Sequence, residues 1–154
     1  MDLSYRALLE ADKREICQWK YEDVYEIYNL PSYEQMQGKK SGFGNPEKEK
    51  NFLGFWDKNV LVGFVNILEE EYEVFIGIGV RPELCGCGYG FQMLMDTYRI
   101  SQSRYPNKPL YLEVRSWNQR AIRCYEKAGF HIEGGEFCQV TGAGEGYFYR
   151  MVKK

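Results

Sequence analysis

The chain has 154 residues, a length that suits one domain, expected here to span 1–154. Lys plus Arg is 20 and Asp plus Glu is 22, a formal net charge of −2, which argues against a general nucleic-acid binder or a basic membrane-surface protein. Hydrophobic residues at 44% and charged residues at 27% exclude a disordered chain, and aromatics at 16% supply rings for a core or for a pocket lining.

No apolar run approaches the ~20 residues that span a bilayer. The opening Met1-Asp2-Leu3-Ser4-Tyr5-Arg6 lacks a basic segment followed by an apolar stretch, so a cytoplasmic protein with no membrane partner is expected. Five cysteines (17, 85, 87, 124 and 138) are an odd number in a chain large enough to fold without staples, which predicts free thiols. A lone His131 and the absence of Cys-x-x-Cys leave little for zinc, and Cys85-x-Cys87 by itself is a weak signal, so no metal is expected.

In chain order, Leu3 to Leu8 reads as a strand, and residues 10–29 as helix in two short pieces with Ile16, Trp19, Tyr25, Ile27 and Tyr28 at the apolar positions. Gln37 to Lys50, with Gly38, Gly42, Gly44 and Pro46 among lysines, reads as a mobile loop. Phe52 to Trp56 and Val60 to Leu68 read as a hairpin around Asp57-Lys58-Asn59. Glu69-Glu70-Glu71 turns the chain into Tyr72 to Val80, whose unalternating run Val74-Phe75-Ile76-Gly77-Ile78-Gly79-Val80 suits a central strand covered on both faces. Glycines inside it mark a bulge or a close approach to the backbone. Phe91, Leu94, Met95 and Tyr98 then trace one face of a helix reaching about Tyr105, and Leu110 to Arg115 is a strand. Asn118 opens a helix with Ala121, Cys124, Tyr125 and Ala128 on one face and Gly129 as its stop. Phe130 to Val140 and Gly146 to Val152 close the chain as strands. This order predicts an α/β fold with a mixed sheet, not a doubly wound nucleotide fold.

Between the apolar strand and the Phe91 helix lies Cys85-Gly86-Cys87-Gly88-Tyr89-Gly90. Alternating glycines allow a tight turn and leave no side chain over its amides. The first turn of the following helix adds unpaired N–H groups and the positive end of the helix dipole. Together these can hold a phosphate or pyrophosphate. The spacing matches neither a Rossmann fingerprint nor a Walker A loop. By itself it reads equally as a connection that packs closely.

The segment from Ile76 through Leu94, with Val80-Arg81-Pro82-Glu83 before the loop, resembles the cofactor-binding motif of the GNAT superfamily of N-acetyltransferases. Leu112-Glu113-Val114 followed by Asn118, Ala121, Tyr125 and Gly129-Phe130 resembles the family's next motif, and is similar to ribosomal-protein alanine N-acetyltransferases. The family pattern Q/R-x-x-G-x-G/A is met except that Cys85 stands at its first position. The resemblance implies a mixed, splayed sheet of about six or seven strands flanked by helices, opening where two parallel strands part. It implies acetyl-CoA as cosubstrate, its pantetheine pairing with the strand ending at Ile78-Gly79-Val80. Its pyrophosphate would lie on the turn Cys85, Gly86, Cys87, Gly88, Tyr89, Gly90, chiefly on amides from Cys87 to Phe91. Asn118 would touch the pantetheine arm, and it reads equally as the cap of its helix.

Acetyl transfer to an amine needs a proton removed from the ammonium, donors for the tetrahedral oxyanion and a proton for the departing thiolate. The resemblance puts a tyrosine near the coenzyme sulfur at Tyr125, and a phenol with pKa near ~10 is protonated at neutral pH. A core tyrosine is the alternative. Glu113 is the candidate base, expected to be partly desolvated at a strand end. It reads also as a strand glutamate paired with Arg115 or Arg120, and Glu71 and Glu73 are rivals. A covalent route through Cys124, Cys85 or Cys87 lacks a neighbouring His to activate the thiol.

The aromatic, partly acidic run Trp19-Lys20-Tyr21-Glu22 with Tyr25 and Tyr28 suits the acceptor side or a helix face packed on the sheet. The expected reaction is direct transfer from acetyl-CoA to a primary amine, with a small-molecule or peptide acceptor. Family habit admits a homodimer. A non-catalytic acyl-CoA-binding module is the alternative, and a nucleotide- or metal-binding protein a more distant one.

Overall fold

The computed structural model describes residues 2–154. Eight strands form an open mixed sheet: β1 (Ser4–Ala7), β2 (Phe52–Asp57), β3 (Val60–Glu69), β4 (Val74–Val80), β5 (Leu110–Arg115), β6 (His131–Ile132), β7 (Phe137–Thr141) and β8 (Gly144–Lys153). The strand order is β1-β2-β3-β4-β5-β8-β6, with β7 paired to β8. The helices are α1 (Glu10–Cys17), α2 (Tyr33–Lys39), α3 (Tyr89–Arg104) and α4 (Gln119–Lys127). The expected mixed sheet is present, with one strand more than the largest expected number because the segment after Phe130 divides into β6 and β7. Gly134, at φ +81°, lies in the gap between them.

The chain forms two compact units, the first comprising residues up to Asn66 together with Ile78–Tyr89, the second Ile67–Gly77 with Gly90–Lys154. In the first, β1 and β2 pair antiparallel, as do β2 and β3, with a register irregularity between Phe55 and Trp56. Asp12 starts α1 by accepting the Leu9 N–H at 2.8 Å. Ser32 and Gln35 cap α2 reciprocally, Ser32 N–H to Gln35 Oε1 at 2.9 Å and Gln35 N–H to Ser32 Oγ at 3.1 Å. That signature was present in the sequence and its helix was missed. The stretch read as a mobile loop is instead the end of α2 followed by 3₁₀ turns at Gly42–Gly44 and Pro46–Asn51. Burial explains this: Phe43 is buried and meets Phe52 edge-on at 4.9 Å and Phe64 at 5.3 Å. An apolar ring anchors the segment that the glycines would otherwise leave loose.

In the second unit, β4 and β5 pair in parallel at Val74–Leu110 and Phe75–Tyr111, the N-terminal ends of both strands. β5 and β8 pair antiparallel from Leu110–Lys153 to Arg115–Phe148. β4 is not covered on both faces throughout as its apolar run suggested: Val74 and Ile76 are buried, while the five remaining residues are only half-buried. The buried stripe of α3 is also rotated from the one expected, running through Met93, Thr97 and Ser101 with Leu94 beside it. Small hydroxyl side chains take the inner face, and among the described residues Thr97 Oγ1 and Ser101 Oγ have no hydrogen-bond partner. Gly129, at φ +98°, follows α4 as the left-handed stop read from the sequence.

Candidate active-site residues

The first unit holds the end of β4 and the glycine turn. A Cβ on Gly79 would lie 2.9 Å from Cζ and 3.2 Å from Cδ1 of Phe64, closer still to its Cε1, so an aromatic ring makes the close approach that the strand glycine announced. Arg81 clamps the strand end: its N–H donates to Val62 O at 2.8 Å, its Nε to Leu61 O at 2.8 Å, and its guanidinium pairs with Glu15 above the Trp19 ring. The Val80 carbonyl accepts from Tyr21 Oη at 2.5 Å. Tyr21 meets Tyr28 edge-on at 6.4 Å, and Tyr28 stacks with Tyr25 at 6.5 Å. Part of the aromatic run considered for an acceptor therefore braces the carbonyl end of β4.

Beyond Val80 a 3₁₀ turn at Pro82–Leu84 leads into the glycines. The Cys85 N–H reaches Pro82 O and the Cys87 N–H reaches Leu84 O, both at 3.3 Å. Gly86 at φ +83° and Gly88 at φ +90° adopt a backbone that side chains disfavour, and open space surrounds the position where a Gly86 Cβ would stand. The turn opens directly into α3, whose first four N–H groups have no acceptor within the helix. These features fit a diphosphate, although Cys87, first of the amides assigned to it, already donates within the turn. Cys85 Sγ points back to Val80 O at 3.9 Å and Arg81 O at 3.6 Å, so the residue replacing the family's Gln or Arg supports the turn from behind. Tyr89 Oη donates to Asp57 Oδ2 at 2.6 Å.

The second unit holds Gly90, Phe91, Glu113, Asn118 and Tyr125. The ammonium of Lys127 lies 5.2 Å from the centroid of the Phe91 ring. Asn118 is buried and caps α4, its Oδ1 accepting the Ala121 N–H at 3.1 Å, so the capping alternative is realised. Tyr125 is half-buried on α4, and its carbonyl accepts from Ala128 N–H at 3.1 Å and Phe130 N–H at 3.0 Å in the helix stop.

Glu113 departs from its expected surroundings. It is the fourth residue of six in β5 and is exposed, not partly desolvated at a strand end. Its Oε1 accepts from Gln139 Nε2 at 3.3 Å. Alternation on the strand explains this: Leu112 and Val114 turn into the core and Glu113 turns outward. Of its rivals, Glu71 is exposed and Glu73 pairs with Arg150. Burial pushes the Cys124 thiol above its ordinary pKa, which disfavours the thiolate a covalent route would need. Among the described residues no His/Cys/Asp/Glu group could hold a metal ion, and no helix is long and apolar enough to cross a membrane.

Sequence reasoning missed Tyr21, Asp57 and Arg81 as supports of the turn. Arg81 was legible only as part of the family motif, and Asp57 only as a hairpin residue.

Comparison with known proteins bears on the fold and the family. Solved structures of the same fold include a chimera of the spermidine N-acetyltransferase SpeG from Vibrio cholerae and hSSAT, 23% identical, covering 99% of this chain and 95% of that one at TM-score 0.78. A GNAT-family acetyltransferase from Bacillus anthracis is 18% identical, with 99% and 94% covered at TM-score 0.79. The ribosomal-protein-S18-alanine N-acetyltransferase from Escherichia coli is 19% identical, with 99% and 93% covered at TM-score 0.67. No curated protein sequence matches the chain significantly. The profile of the acetyltransferase (GNAT) family matches residues 13–130, taking in the β4 strand, the glycine turn and the α4 helix. The chain therefore belongs to the acetyltransferase (GNAT) family, enzymes that use acetyl-CoA as their cosubstrate.

Proposed function

We propose that residues 1–154 act as one catalytic domain that moves the acetyl group of acetyl-CoA to a primary amine by direct attack in a ternary complex. The observation that carries this reading is the turn at 85–90: two glycines with positive φ opening into the bare amides of a 16-residue helix, within the family match. In this reading the amides from Gly88 to Phe91 hold the diphosphate. The backbone of Ile78-Gly79-Val80 pairs with the pantetheine as an added strand would, and Asn118 contacts the same arm while capping its helix.

The amine nitrogen attacks the thioester carbonyl carbon, the N–C bond forms, and the C–S bond breaks as the tetrahedral adduct collapses. Tyr125 donates its phenolic proton to the departing sulfur. The proton lost from the attacking nitrogen passes to a base, for which Glu113 is the candidate, through water because its carboxylate is exposed. The acceptor is a small-molecule or peptide amine. Calorimetric titration with acetyl-CoA, followed by thiol release from a panel of polyamines, aminoglycosides and peptides with free N-termini, tests the proposal. Micromolar binding with turnover of one amine class supports it. Binding without turnover of any amine would favour an acyl-CoA sensor, and absence of binding would refute the assignment of the turn.

A further inference from the structure

We propose that Asp57 is a positioning residue for acetyl-CoA, holding the diphosphate-binding turn in shape through the phenol of Tyr89. This inference rests on the reading of the turn given above.

Three glycines make residues 86–90 the segment with the most backbone freedom in this part of the chain, and ordering them on a ligand costs affinity. Gly86 and Gly88 carry no side chain to fix the turn, and Gly86 has open space around it. The one long side chain between Gly88 and Gly90 is Tyr89, the first residue of α3. Its Oη reaches Asp57 Oδ2 at 2.6 Å, a charge-assisted hydrogen bond, which is stronger than a neutral pair.

Asp57 is itself well fixed. It ends β2, pairs with Val60 across the hairpin, and precedes Lys58, whose φ of +57° is the left-handed geometry of a tight two-residue turn. The tether thus joins a rigid hairpin to the first residue of the helix whose amides face the diphosphate. Its direction matters too: the phenol points at the hairpin. The hydrogen bond also raises the Tyr89 pKa, so the phenol remains a donor through neutral and mildly alkaline pH.

Coenzyme A titrations and steady-state kinetics on the full chain test this. Asp57→Ala should weaken coenzyme A binding about five- to tenfold and raise the KM for acetyl-CoA by the same factor, with kcat retained. Tyr89→Phe should do likewise, and the double variant should be no more than about twofold worse than either single, since both remove one bond. Asp57→Asn keeps an acceptor oxygen and should recover most of the affinity. S-acetylpantetheine, which has the thioester arm without the diphosphate, should be used by Asp57→Ala as well as by the unaltered protein. Equal losses with both donors would mean general damage and overturn the inference, as would a failure of Asn to rescue. Normal coenzyme A affinity in both single variants overturns it while leaving the acetyl-CoA reading intact. If the unaltered protein binds no coenzyme A, both fall together.

Discussion

Replacing Gly79 by Ala adds one methyl group where an aromatic ring already stands. The new Cβ would lie 2.9 Å from Phe64 Cζ and 3.2 Å from Cδ1, where ordinary contact begins near 3.4 Å. The ring has little room to retreat, because Phe43 meets it edge-on at 5.3 Å and Trp19 lies at 6.4 Å. Overpacking of this kind costs about 1–3 kcal/mol. For a domain of this size that corresponds to a drop of about 3–10 °C in Tm, read by circular dichroism. Phe64→Leu removes the obstructing ring, so the double variant should melt well above the sum of the two single losses, a coupling that identifies the ring as the cause. A Gly79→Ala protein that melts with the unaltered one, or a strictly additive double variant, would refute the packing argument.

Tyr125→Phe should lower kcat about 10²- to 10⁴-fold while acetyl-CoA affinity changes little, and unchanged turnover would remove the phenol from the mechanism. Glu113→Gln should lower kcat if the exposed carboxylate relays the amine proton; unaltered turnover moves the base elsewhere. Tyr111 is pushed above the ordinary tyrosine range, first by burial and then by its hydrogen bonds to Glu70 at 2.8 and 3.0 Å. The folded state thus favours the neutral phenol. Its contribution to stability is complete below pH ~10 and is lost as the pH rises through the folded pKa. Phenolate absorbance should therefore show late-titrating tyrosine in the folded protein, with one fewer in Tyr111→Phe. Gly129→Ala forces a side chain to φ +98° beside Lys153 and should cost about 1–2 kcal/mol in urea denaturation.

Local chemistry carried most of the fold into view. The β2–β3 hairpin, the apolar β4 run, the glycine turn and the Asn118-to-Gly129 helix each announce themselves within about a dozen residues, through hydrophobic period, breakers and caps. The same locality made the turn and Tyr125 visible as candidates, because the family motifs are continuous stretches. It also set the limits of such a reading. The inner face of α3 carries Thr97 and Ser101, which periodicity scores as polar although both are fully buried. Glu113 keeps its motif spacing, yet strand alternation turns it to solvent. Phe43 anchors a glycine-rich segment by packing on Phe52 and Phe64, and nothing in the segment itself specifies those partners.

Composition and short-range pattern thus determined most of the elements and where the bare amides lie. Tertiary structure alone decided what braces them. Tyr21 meets the Val80 carbonyl across 59 positions, and Tyr89 meets Asp57 across 32. A contact made by chain return leaves no period, cap or breaker at either partner, since its energy arises only once distant strands have paired and brought two side chains within bonding distance.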